Sequence, residues 1–128
     1  MRRFMLGVLA AAATSVIGVA ARAQQAESAV QKVEVTAERF AFQPSEIRTT
    51  VGTTLEVVLT SDDTTHGFRI KGEGVDVQIP KRGRGTITAT FRPTKTGRYT
   101  FECSRICGAG HGFMRGTIIV AEAQTDGK

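Results

Sequence analysis

The 128-residue sequence has no tryptophan, one tyrosine and two cysteines. Two cysteines are too few for a disulfide scaffold, a four-cysteine zinc site or an iron–sulfur cluster. There is no GxxxxGK followed by Ser or Thr, and no GxGxxG after a strand-like run, so nothing supports nucleotide binding. CxxCH is missing as well, which argues against covalent c-type haem. Internal repeats are absent, and beyond residue 31 no stretch has helical periodicity. The length suits one ordinary domain rather than two.

The charge balance needs the N-terminus to be read first. The chain carries a formal net charge of +5, with 17 basic and 12 acidic residues. Arg2 and Arg3 precede an uncharged, mostly apolar run from Phe4 to Ala21, and Ala21-Arg22-Ala23 fits a small-x-small cleavage site. This is the layout of a secretory signal peptide over residues 1–23. An uncleaved anchor is the alternative, since the run approaches the length that spans a bilayer. Its many Ala, Gly, Ser and Thr residues favour cleavage. Removal takes away three arginines and no acid, leaving 14 basic and 12 acidic residues. The surplus of two argues against a nucleic-acid partner, which needs a concentrated basic face. An exported protein works in an oxidising compartment.

The rest of the chain divides into a polar linker (24–31), one domain (32–122) and a polar tail (123–128). The domain reads as all-β. Val33, Val35 and Ala37 alternate with polar residues, as do Phe68 and Ile70, Val75 to Ile79, Ile87 to Phe91, and Tyr99 to Cys103. Thr53–Leu59 and Thr117–Val120 are β-branched and apolar. Period two of this kind marks strands with one buried face. Gly, Pro, Asp and Ser clusters separate the runs and supply turns. Seven or eight strands at this spacing predict a β-sandwich or barrel.

The chemistry is concentrated in Phe101–Met114, FECSRICGAGHGFM, which holds Cys103, Cys107, His111 and Met114. The second histidine, His66, lies in DDTTHGF. Thiolate, imidazole and thioether together suit copper, and a thioether is a poor zinc ligand. A mononuclear blue-copper site uses one cysteine. The second cysteine allows two thiolates to bridge two coppers, each with one terminal imidazole. Met114 and a backbone carbonyl between the cysteines are then available as weak ligands. A Cys103–Cys107 disulfide is the plain alternative in an exported protein. Gly108, Gly110 and Gly112 let the loop fold its ligands toward one centre. Phe68, Phe101 and Phe113 read as core or site-shielding residues, and Lys81-Arg82-Gly83-Arg84 as a solvated turn or, less simply, a docking patch for an acidic redox partner.

At these residues the chain resembles the copper A domain of cytochrome c oxidase subunit II. The family loop is C-S-E-I-C-G-x-x-H-x-x-M, and this loop is C-S-R-I-C-G-A-G-H-G-F-M. HGFRI is similar to the first-histidine segment, particularly in short ba-type bacterial oxidases. FAFQPSEIRTTVGTTLEVVLTS, residues 40–61, is similar to the opening strands of many cupredoxins. The resemblance covers residues 32–121. It implies a Greek-key β-sandwich with a binuclear, mixed-valence copper centre. His66 and His111 would be terminal ligands, Cys103 and Cys107 bridges, and Met114 and the Arg105 carbonyl weak ligands. Three departures bear on partners. Arg105 replaces a glutamate whose side chain meets magnesium at the subunit I boundary; its backbone carbonyl survives the change. The two transmembrane helices of subunit II are reduced to at most one N-terminal span. The tryptophan used for electron entry from cytochrome c is missing.

The expected function is single-electron transfer, as a free-standing carrier or a subunit II-like component, in the periplasm or at the outer face of the inner membrane. The expected partner is a cytochrome c or oxidase subunit I. Membrane association would come through that partner or an uncleaved N-terminus. Such a protein is not catalytic alone; at most it is the electron-entry component of an oxidase. The competing expectation is a copper chaperone or storage protein for oxidase assembly, and a third is a metal-free domain with a disulfide.

Overall fold

The structure, a computed structural model, describes residues 29–124. The expected signal peptide, most of the 24–31 linker and the last four residues of the tail lie outside the described residues. Nine strands follow one another: β1 (Val30–Glu38), β2 (Ala41–Gln43), β3 (Glu46–Thr50), β4 (Thr54–Ser61), β5 (His66–Ile70), β6 (Val75–Ile79), β7 (Ile87–Phe91), β8 (Gly97–Glu102) and β9 (Arg115–Ala121). One 3-10 turn, His111–Phe113, is the sole helical element among the described residues.

The strands make two sheets, of order β2-β1-β4-β7 and β3-β9-β8-β5-β6. Neither order is sequential, as a Greek-key sandwich requires. β1 runs parallel to β4 with Val35 opposite Leu59, and β3 runs parallel to β9 with Ile47 opposite Ile118. The all-β expectation is met. Two of the nine strands, β2 and β3, come from residues 41–50, where the period-two runs give no signal. β2 is three residues long, too short to show a pattern, and Pro44 and Ser45 part it from β3. β1 begins at Val30, so the end of the expected linker is already paired in the sheet.

Burial follows the pleat. In β4, Leu55, Val57, Leu59 and Ser61 face inward and the intervening residues are half-buried. β5 breaks the alternation: His66, Gly67 and Phe68 are all buried. Its inner face meets the core while its outer face is covered by the loop after β8. Between the sheets, Phe42, Phe68 and Phe101 form an aromatic cluster with ring centres 5.0–6.0 Å apart. Each such burial favours folding by about 1.5–3 kcal/mol. Phe68 lies two residues after His66, and Phe101 two before Cys103. Along a strand, that spacing puts each pair on one face. The aromatic cluster thus forms the floor on which His66 and Cys103 stand.

Candidate metal centre

The centre is built from two places on the five-stranded sheet. β5 contributes His66 at its first residue. The connection from β8 to β9 contributes Cys103, Cys107, His111 and Met114. The ends of that connection are tied together, the Cys103 N–H donating to the Met114 carbonyl at 3.0 Å. Within it, the His111 N–H donates to the Gly108 carbonyl and the Met114 N–H to the His111 carbonyl, which winds the short turn that carries both side chains. Cys103, Cys107 and Met114 are buried, His66 is wholly buried, and His111 is half-buried.

The five side chains meet. The Cys103 and Cys107 sulfurs are 3.7 Å apart, both as free thiols. His66 Nδ1 lies 3.9 Å from Cys103 Sγ, and His111 Nδ1 lies 3.7 Å from Cys107 Sγ. Met114 Sδ is 3.8 Å from Cys107 Sγ. The Arg105 carbonyl oxygen is 3.0 Å from Cys103 Sγ, while the Arg105 side chain is exposed. The ligand atoms of His66, Cys103 and Cys107 all fall within 4.8 Å of one another. Two soft sulfurs with an imidazole nitrogen at each end suit copper and fit a metal-sharing pair of thiolates. Burial, and then the hydrogen bond that Cys107 shares with Cys103, push the Cys107 thiol up to about 11.

Four residues outside the ligand set hold this arrangement. Asp63 Oδ1 accepts from His66 Nε2 at 2.6 Å, which leaves Nδ1 facing the cysteines. Asp63 Oδ2 accepts from the Arg39 N–H at 2.9 Å, and Arg39 Nε donates to the Cys107 carbonyl at 2.6 Å. Burial pushes the Asp63 carboxyl up, but the His66 ring and the Arg39 and Thr64 amides outweigh it and hold the group at about 2. The Phe40 ring lies against Gly108 and Gly110, where a Cβ would overlap it. Gly67 packs on the loop backbone, and its N–H donates to Cys103 Sγ at 3.4 Å.

The sequence matches the family described as cupredoxin-like domain over residues 7–120. The chain belongs to the cupredoxin family. This cupredoxin is 36% identical over 90 residues to cytochrome c oxidase subunit 2 of Thermus thermophilus, an alignment covering 70% of this chain and 65% of that protein. A second subunit 2 from the same species is also 36% identical over 90 residues, with 52% of it covered. The cupredoxin therefore spans between about half and two thirds of the length of these relatives. Among solved structures, a chain of a heme-copper terminal oxidase dimer is 31% identical, with a TM-score of 0.58 over 71% of this chain and 65% of that one. The periplasmic domain of cytochrome oxidase subunit II from Bradyrhizobium japonicum superposes with a TM-score of 0.64 over 71% of this chain and 83% of that one. At 24% identity it shares the fold.

Two expectations about this cupredoxin's loop are corrected. Phe113 neither fills the core nor shields the site; it is 82% exposed, because the 3-10 turn points it outward as His111 turns in. Gly112 has open space where a Cβ would sit, so the need for glycine falls on Gly108, with φ of 143°, and Gly110, beneath Phe40. Asp63 had a signal that went unread, an acid three residues before His66 in DDTTH. Arg39 and Phe40 had none, being more than 60 residues from the loop they hold. Asp63→Ala frees the His66 ring to turn and removes the acceptor that fixes its tautomer. Copper affinity should fall about 10- to 100-fold. A competition titration against a chelator of known affinity measures this, and an unchanged affinity would show that His66 needs no partner.

Proposed function

We propose that this cupredoxin holds a binuclear copper A-type centre and passes single electrons, as the subunit II-like component of an oxidase or as a free carrier. The observation that carries the reading is the pair of free thiols 3.7 Å apart, each facing its own imidazole nitrogen. His66 and His111 would be the terminal ligands, and Cys103 and Cys107 the bridges. Met114 Sδ and the Arg105 carbonyl would take the weak positions. Copper supplies a one-electron couple when bound. The chain supplies rigidity: the sheet fixes His66 and Cys103, Arg39 and Phe40 pin the loop, and the aromatic floor excludes water. A site held in one geometry changes little between oxidation states, and the buried shell tunes its potential. With both thiolates and both imidazoles engaged, nothing is left open for a substrate, so the chain would not be catalytic alone.

The partners in this reading are a c-type cytochrome and oxidase subunit I, met in the periplasm or at the outer face of the inner membrane. The Arg105 side chain cannot supply the carboxylate that bridges magnesium in the resembled family, so any contact with subunit I would do without that bridge.

Copper loading with both thiols reduced tests the assignment. The expected result is two coppers per chain, a purple colour, and an unpaired electron shared equally between two nuclei in electron paramagnetic resonance. One copper with a blue spectrum, or no uptake, would refute it. Retention through repeated redox cycles against a competing chelator separates a carrier from a copper-delivery protein, which surrenders its metal. Loading also releases protons. The Cys107 thiol is protonated below about 11 in the metal-free chain and deprotonated as a ligand, so acidification opposes uptake. Apparent affinity should fall about tenfold per pH unit for each proton displaced. Chelator competition at pH 6, 7 and 8 checks the slope, and a flat profile contradicts it.

A further inference from the structure

The outer face of the ligand loop carries side chains that the metal centre does not use. Ile106 is 90% exposed and Phe113 82% exposed, the two most exposed large hydrophobic residues among those described. Ile106 adjoins Cys107, and Phe113 lies between His111 and Met114, so both border the half-buried end of the centre. Apolar side chains held in water beside a functional site mark a contact surface.

The charge around them has one sign. Residues 103–115 include Arg105 and Arg115 and no acid. Arg115 Nη2 donates to the Gly112 carbonyl at 2.7 Å, next to Phe113. Arg105 adjoins Ile106, and none of the ion pairs among the described residues involves it. Neighbouring acids are already offset. Asp63 binds the His66 ring and the Arg39 amide. Asp76, which accepts from Ser104 Oγ at 2.6 Å, and Glu102 both face Arg69, and Glu102 also faces Lys71. Glu102 also lies directly across from Arg115, so Arg105 remains the uncompensated charge of the loop. The basic turn at 81–84 extends the same sign on the His66 side, where the Arg82 N–H donates to the Asp63 carbonyl at 3.1 Å.

We infer that this face docks a one-electron carrier protein whose own contact surface is an apolar centre bordered by carboxylates. The inference rests on the copper reading above and specifies its partner. In the docked pair the reduced carrier loses one electron and the copper centre gains it, with His111 the ligand nearest the contact. Complementary charge raises the encounter rate and is screened by salt, while the apolar pair fixes the fit.

The test uses one probe in two charge forms: ferrocytochrome c with its native lysine ring, and the same protein with those lysines succinylated to carboxylates. Stopped-flow mixing with the oxidised, copper-loaded chain follows haem oxidation. The succinylated form should react several-fold faster at low salt, with the difference gone at high salt. Arg105→Glu should reverse the preference, and Ile106→Ser should slow both forms at every salt. Arg98→Glu, at the far end of β8, makes the same charge change away from the loop and should leave the preference in place. A faster native form, or a preference that Arg105→Glu does not move, overturns the docking inference while the copper reading stands. A chain that takes up no copper oxidises neither form and overturns both.

Discussion

Replacing either cysteine by serine is expected to abolish the paired-copper signature. Each sulfur has two roles, facing its own imidazole nitrogen at 3.7–3.9 Å and the other sulfur at 3.7 Å. Serine keeps the shape but offers a hard, weakly acidic oxygen that does not bridge soft metals. The loss should be all or none rather than graded, because one thiolate cannot hold two ions together. Copper per chain should drop from two to one or none, and the purple band should vanish. The metal-free fold should change little, since the substitution removes only a small buried sulfur, within about 1 kcal/mol. Met114→Leu is the contrast: it preserves both bridges and both imidazoles, so two coppers should remain while the potential shifts. A purple, two-copper Cys107→Ser protein would exclude thiolate bridging.

Gly67→Ala should be nearly as damaging without touching a ligand. A Cβ there would overlap Ser104 Oγ and would sit 2.8 Å from the Ser104 nitrogen and 2.9 Å from the Arg105 nitrogen. The hydroxyl can rotate away, but the two backbone nitrogens belong to the loop that carries Cys103 and the Arg105 carbonyl. That loop must lift off β5, separating His66 from the cysteines. Overpacking of this kind costs about 1–3 kcal/mol. Displaced ligands should weaken copper binding by about 10- to 100-fold. Thermal unfolding and chelator competition read the two effects separately. Gly112→Ala serves as the control, because nothing lies within 4 Å of its Cβ position. Equal behaviour of the two variants would mean the loop is not seated on β5.

These variants also show where the sequence was readable and where it was not. The loop ligands were legible because four of them lie within twelve residues, at spacings that soft-metal chemistry recognises. His66 was legible as the one histidine outside that stretch. β4 was legible because Thr53–Leu59 is β-branched and apolar, and the structure gives it an unbroken alternation of burial. Arg39, Phe40 and Gly67 were not, because each acts on the loop from another element and only the fold makes them neighbours, whereas Asp63 stands three residues before the His66 it holds. Phe113 misled for a different reason. An aromatic residue between two ligands reads as shielding, but at about three residues per turn the 3-10 helix puts Phe113 on a different side from His111. Ile106 gave no warning that it stands in water.

The placement of His66 on β5, apart from every other ligand, also sets an order of events. His66 emerges from synthesis well before Cys103, and the residues between them fill β6, β7 and β8. β7 belongs to the opposite sheet. The direct register between β5 and β8 is confined to Arg69 with Glu102 and Ile70 with Phe101. Imidazole and thiols therefore meet only once β5 and β8 have paired, a contact between residues 37 apart of the kind that forms slowly. A nascent chain that has made β5 but not yet the loop offers copper a lone imidazole. The four loop ligands are neighbours in sequence and can meet copper early, but His66 joins them only when β5 and the loop come together, so folding completes the site.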